Sequence, residues 1–360
     1  MSDIFHVASR KGLFRFRRQG SRWVGGAPAF VGEPVSAVFA DRRDGALYCA
    51  LRLGHFGVKL HRSDDGGDSW TEVAAPAFPA RPASDESAPA VDMIWTLVAG
   101  GADEPGMLWA GTLPAALFRS ADRGESWSLI DGLWTVPERA EWQGGGYDHA
   151  GIHSIHVDAR DSGRITLAIS IGGVWKSGDA GAAWRLVGAG LRAEYMPPAK
   201  AYDPVVQDPH RLAHCAAAPD VVWCQHHNGI FRSTDGGATF DEIAPVRPSA
   251  FGFAVAAHPQ NPECAWFVPA VKDECRVPVA GRLVVTRTTD GGRSFTALGE
   301  GLPSRDCYDL VYRHGLDVDA TGARLAMGST TGNLWTSDDG GDHWTQVSAH
   351  LPPIAQVAFG

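Results

Sequence analysis

The chain has 360 residues, 44% apolar and 20% charged, which is enough to bury a sizeable core and too apolar for intrinsic disorder. Its 32 Lys and Arg against 41 Asp and Glu leave a net charge of -9, which disfavours nucleic acid and anionic membrane as partners. No apolar run approaches the roughly 18 residues of a membrane-spanning helix, and Met1-Ser-Asp-Ile-Phe-His6 lacks the basic and apolar regions of a secretory signal, so a cytoplasmic protein is expected. The six cysteines, Cys49, Cys215, Cys224, Cys264, Cys275 and Cys307, form no CxxC pair and read as reduced thiols. Gly 43, Pro 23 and 13 Trp suit many short strands joined by turns.

In chain order, a strand at Ile4 to Ala8 leads into Phe16-Arg-Arg-Gln-Gly20-Ser-Arg-Trp23, the worn first copy of a repeat. Full copies follow: Ser63-Asp-Asp-Gly-Gly-Asp-Ser-Trp70, Ser120-Ala-Asp-Arg-Gly-Glu-Ser-Trp127 and Ser177-Gly-Asp-Ala-Gly-Ala-Ala-Trp184. Three more are Ser233-Thr-Asp-Gly-Gly-Ala-Thr-Phe240, Thr288-Thr-Asp-Gly-Gly-Arg-Ser-Phe295 and Ser337-Asp-Asp-Gly-Gly-Asp-His-Trp344. All six fit [S/T]-x-D-x-G-x-x-[W/F]. The closing aromatics lie 47, 57, 57, 56, 55 and 49 residues apart, so seven units account for the chain. Within the box the hydroxyl and carboxylate bond backbone N–H groups, the glycine takes positive φ, and the aromatic starts the next strand and fills the gap to a neighbouring unit. The second unit reads as four strands: Val35 to Phe39, Leu47 to Leu51, Val58 to His61 and Trp70 to Val73.

This motif resembles the Asp-box, or bacterial neuraminidase repeat, of sialidases, the sortilin ectodomain and photosystem II assembly propellers. The resemblance implies a β-propeller with each box between the third and fourth strands of a blade. We therefore expect an all-β, single-domain, seven-bladed propeller over residues 1–360, with four-stranded blades. Pro353-Ile-Ala-Gln-Val-Ala-Phe359 would complete the first blade and close the ring.

Chemistry is expected on the face opposite the boxes, which is built by the second-to-third-strand turns and the connections between blades. The long connections, Trp134 to Ile152 and Leu191 to His210, fall there. So do His55, His149, His153, His210, His226, His227 and His314. His153 and His314 occupy equivalent inner-strand positions when His153-Ser-Ile-His-Val-Asp158 is aligned with His314-Gly-Leu-Asp-Val-Asp319. Three readings compete for these imidazoles. His55, His153, His226, His227 and His314 hold a divalent transition metal, Zn, Mn or Fe. Alternatively, one or two of them transfer protons without metal, or they cap loops in a wet channel. The turn Val271-Lys-Asp-Glu-Cys-Arg-Val-Pro278 adds Lys272 and Arg276 as anion contacts and Glu274 as a general base. Asp309 is a second candidate base, Tyr308 beside it a further catalytic candidate near Tyr312, and Arg313 a third anion contact. Arg10 and Tyr147 complete the expected substrate contacts.

No aromatic-Arg-Ile-Pro segment stands near the N-terminus, which argues against a true sialidase. Over nearly its whole length the chain is similar to signal-less bacterial Asp-box proteins described as exo-sialidase-like. The segments that carry this similarity are Ser9-Arg-Lys-Gly-Leu-Phe14, Gly151-Ile-His-Ser-Ile155, Gln225-His-His-Asn-Gly-Ile-Phe231, Val268-Pro-Ala-Val-Lys-Asp273 and Tyr308-Asp-Leu-Val-Tyr-Arg-His314. Two functions are carried forward. The first is a hydrolase or lyase, metal-dependent or not, acting on a small polar or anionic, sugar-like molecule at the mouth. The second is a binding or assembly module gripping a protein partner through Phe56, Trp134, Trp142 and Tyr147 on the same face.

Overall fold

The computed structural model describes residues 2–80 and 89–360. They form seven antiparallel sheets of four strands. Six blades run in simple sequence order: Val35–Ala40 to Thr71–Val73, Met93–Ala99 to Ser128–Leu129, Ile152–Asp158 to Arg185–Val187, Pro209–Cys215 to Asp241–Ile243, Gly252–Ala257 to Thr296–Leu298, and Leu316–Val318 to Thr345–Ser348. Blade one takes its inner strand from the far end of the chain: Ile354–Phe359 pairs with Ile4–Ser9, followed by Gly12–Gln19 and Arg22–Gly25. The first strand of each blade touches that of the next, and Leu316–Val318 returns to Ile354–Phe359, so the ring is closed as the sequence predicts.

Hydrophobic burial lies between the sheets. Phe118, Trp175, Phe231 and Trp335 each stand two residues before a box serine on the third strand, and all are fully buried. Trp109, Trp223 and Trp266 do the same work on second strands. Phe5, Val357 and Phe359 lock the closing strand into one such layer. Gln356 adds a double bond to the next inner strand, accepting from Val38 N at 2.9 Å and donating to Val38 O at 3.0 Å.

All six boxes share one geometry. In blade five, Gly237 N donates to Ser233 Oγ (2.8 Å), Ser233 Oγ donates to Asp235 Oδ1 (2.8 Å), and Thr239 N donates to the same carboxylate oxygen (2.9 Å). The motif's glycine has φ between +87° and +96° in every copy. The preceding residue is also left-handed, which is why four copies carry a second glycine there and why Arg123 and Ala180 sit at φ 62° and 55°. One expectation needs correcting: in the six full copies the fourth strand begins one residue after the aromatic, which stands just outside the ladder. The basic residue before a box clasps the next blade. Arg15 reaches Gly66 O and Asp68, Arg62 reaches Glu125, and Arg287 reaches Gly340 O and Asp342.

Candidate functional site

Inner strands begin, and second strands end, on the face opposite the boxes, so side chains at those ends ring the mouth of the channel. Blade five supplies a buried charged cluster there. Asp208 immediately precedes the inner strand Pro209–Cys215, His210 is its second residue, and His227 begins the turn after Ala218–His226. Asp208 Oδ2 lies 3.4 Å from His210 Nε2 and 3.3 Å from His227 Nδ1, while its Oδ1 has no hydrogen-bond partner. The backbone pins the group, because His227 N donates to Asp208 O at 3.0 Å. Gly145, in the Gly144-Gly-Gly146 stretch, packs so close that a Cβ there would stand 3.4 Å from Asp208 Oδ1. The glycine run is therefore a close cover over the carboxylate.

Blades three, six and seven surround this cluster. The Phe253 ring stacks on His210 at 4.3 Å, and the buried Arg313 guanidinium stands 5.5 Å from Phe253 and 5.1 Å from Trp95. Arg313 Nε and Nη2 have no hydrogen-bond partner. Tyr147 meets Trp95 edge-on at 5.3 Å, beside a depression of about 650 Å3 lined by Arg52, Asp92, Arg139 and His149. Burial alone would raise the Asp208 carboxyl, but the neighbouring imidazoles and Arg313 outweigh it and hold the group well below its usual range. Burial lowers His210, with Asp208 opposing only in part. Burial also lowers Arg313, again against Asp208. The result is a carboxylate biased towards its ionised form, two imidazoles and an unpartnered guanidinium gathered at one mouth.

The other sequence-predicted residues take several places. His314 Nε2 donates to His153 O at 2.8 Å, so these two histidines do meet. They line the channel below, which opens into a cavity of about 630 Å3 with His156, Arg211, His214 and Asp317. His226 is fully buried and held neutral, its pKa lowered by burial to about 3. Backbone N–H groups of Asp208 and Asn228 face its two ring nitrogens at 3.1 and 3.2 Å, so neither is free for a ligand. His55 is exposed and packs on Phe56. Of the five histidines expected to converge, only His227 belongs to the blade-five cluster.

Asp309 is saturated by Ser329, Thr331, Asn333 and Cys307, which makes it the organiser of the blade-seven turn. Glu274 and Lys272 are exposed and pair with each other at 3.3 Å. Arg276 bends inward, with its guanidinium 5.3 Å from the Phe253 ring and a salt bridge to Asp273. Tyr308 and Arg10 are exposed.

Sequence reasoning placed His210 on the mouth without a role and passed over Asp208. A register signal was present for the histidine, since His153 and His210 are both second residues of their inner strands. Asp208, at the end of a long connection, carried none.

No protein-family model matches the chain. It is similar to a xyloglucanase of a Paenibacillus species, 23% identical over 327 residues, covering 80% of this chain and 30% of that enzyme. It thus spans less than a third of that relative's length. Among solved structures, the GH74 xyloglucanase of Xanthomonas campestris superposes on all of this chain and 52% of its own, with a TM-score of 0.64 and 18% identity. YCF48 bound to a D1 peptide superposes on 87% of this chain and 80% of its own, with a TM-score of 0.51 and 14% identity. At these identities the solved structures establish the shared fold: a seven-bladed propeller of the architecture found in xyloglucanases and in YCF48.

Proposed function

We propose that the protein is a hydrolase of the Asp-box propeller group, acting at the mouth on a small anionic or hydroxyl-rich molecule. The observation that carries this reading is the buried carboxylate–imidazole cluster of Asp208, His210 and His227 beside the unpartnered Arg313 guanidinium. A buried cation with free donors accepts an anionic or oxygen-rich group, and the cluster beside it activates water. Trp95, Phe253 and Tyr147 supply apolar walls that orient a ring-shaped substrate. The similarity to xyloglucanases supports hydrolysis over elimination. The groups facing Asp208 are imidazoles and a guanidinium, which favours imidazole-assisted attack over the paired carboxylates of common glycosidases.

The test is turnover of nitrophenyl glycosides, uronides, esters and phosphates by the wild type, Asp208→Asn and Arg313→Met. Turnover of one class, abolished by Asp208→Asn and reduced about 10- to 100-fold in kcat/KM by Arg313→Met, is expected. Turnover of no class, or turnover indifferent to both changes, refutes the reading.

A second reading, a protein-binding face, is favoured by a separate observation. Of the large apolar or tyrosine side chains exposed among the described residues, Phe56, Tyr147, Tyr195, Tyr202, Tyr308, Val31 and Val271 all lie on mouth-side loops, and only Val24 does not. A partner recovered by pull-down and lost in a Phe56→Ser/Tyr308→Ser variant would support it.

A further inference from the structure

The proton positions around His210 admit few arrangements. His210 Nδ1 lies 2.6 Å from Gly252 O. A carbonyl oxygen only accepts, so Nδ1 carries a hydrogen. With Nδ1 so occupied, Nε2 is the nitrogen left to bind, and in a neutral ring it presents a lone pair. That lone pair faces the Asp208 carboxylate at 3.4 Å, and His227 Nδ1 faces the same oxygen at 3.3 Å. A lone pair and a carboxylate oxygen aimed at each other in a buried site repel unless a proton or a metal ion stands between them.

The spacing is informative too. Metal bonds of about 2.0–2.1 Å from imidazole nitrogen and carboxylate oxygen, set at tetrahedral angles, place neighbouring ligand atoms about 3.3–3.4 Å apart. An octahedral set with the same bonds brings cis ligands to about 2.8–3.0 Å. All three ligand atoms lie within 4.8 Å of one another, and no other such group of three stands among the described residues.

The outer contacts are those of a held site. His210 is oriented through its second nitrogen by a backbone carbonyl, its ring is stacked on Phe253, and the Asp208 backbone donates to His226 Nε2 while accepting from His227 N.

We propose that Asp208 Oδ2, His210 Nε2 and His227 Nδ1 bind one divalent transition-metal ion in a four-coordinate, zinc-like site whose fourth position is left for water or substrate. This replaces the five-histidine set expected from the sequence, keeping only His227. It deepens the hydrolase reading by naming the water-activating group. Its test reads metal, not turnover, so a failure here leaves the hydrolase reading to its own assay.

The experiment uses the 360-residue chain made without an affinity tag, stripped with chelator and titrated with Co2+ and with Zn2+. One equivalent of Co2+ with the intense visible bands of a tetrahedral ion, displaced by Zn2+, is expected. Asp208→Asn and His227→Gln should each weaken binding at least about 10- to 100-fold, with circular dichroism confirming the fold, whereas His55→Ala should bind as the wild type. If a cluster variant fails to fold, the wild type still decides through the Co2+ spectrum and a Zn2+-dependent rise in its unfolding temperature. No binding by the wild type, octahedral-type weak bands, or binding unchanged in both cluster variants overturns the proposal.

Discussion

His6 offers a clean test of how this fold responds to acid. It lies on Ile4–Ser9, 3% exposed, with neither ring nitrogen hydrogen-bonded. Burial, reinforced by Arg15 and Arg17, lowers its pKa from 6.5 to about 4. The native ring is therefore neutral at pH 5, where the unfolded chain takes up a proton. The sign follows: the folded value is depressed for a base, so stability falls as pH drops through 6.5 and levels off below about 4. A shift of that size corresponds to a loss of about 2 kcal/mol between pH 7 and pH 5, and of about 3 kcal/mol at the acid limit. In a chain of this length 2 kcal/mol moves the unfolding temperature by about 2–3 °C. Other buried histidines add to the total, so the measurement is a difference. Urea unfolding of the wild type and His6→Leu is compared at pH 7 and pH 5, and the wild type should lose about 2 kcal/mol more than the variant. Equal losses in the two proteins would refute the claim that an unpartnered, neutral His6 is built into the blade-one layer.

Ala180→Gly should stabilise the protein by about 1 kcal/mol, measured by urea midpoint, because alanine holds φ 55° there while four other boxes have glycine at that position. Ser233→Ala should lower stability by about 1–2 kcal/mol through the lost Gly237 and Asp235 bonds. The same variant should leave Co2+ affinity at the mouth unchanged. Asp309→Asn should destabilise by about 1–3 kcal/mol in the same assay, since three donors converge on one of its oxygens. A large loss of turnover without loss of stability would instead restore Asp309 to the reaction centre.

The architecture was legible because the box is local chemistry repeated: hydroxyl, carboxylate and glycine within five residues write the same turn six times, and the aromatic spacing counts the blades. Ring closure was legible for a related reason, since Ile354 to Phe359 alternates like an inner strand with no partner nearby in sequence. The site is another matter. Asp208, His210, Phe253, Trp95 and Arg313 come from four blades, and only the ring's curvature brings them together. Burial, which makes Asp208 consequential, cannot be read from Gln207-Asp208-Pro209. Glu274 and Asp309 lie on separate mouth-side loops, and their charges are spent structurally: Glu274 pairs with Lys272 in its own turn, and Asp309 holds the Ser329–Asn333 turn of blade seven.

The cysteines carry a practical consequence. Five are buried, and the sixth, Cys275, is exposed on the same mouth-side turn as Lys272 and Arg276. A thiol-selective dye therefore attaches at one place, on the rim, where its fluorescence reports the arrival of a ligand. The same thiol makes aerobic storage hazardous: an intermolecular disulfide through Cys275 would join two molecules rim to rim, each obstructing the other's entrance, and reductant would reverse it.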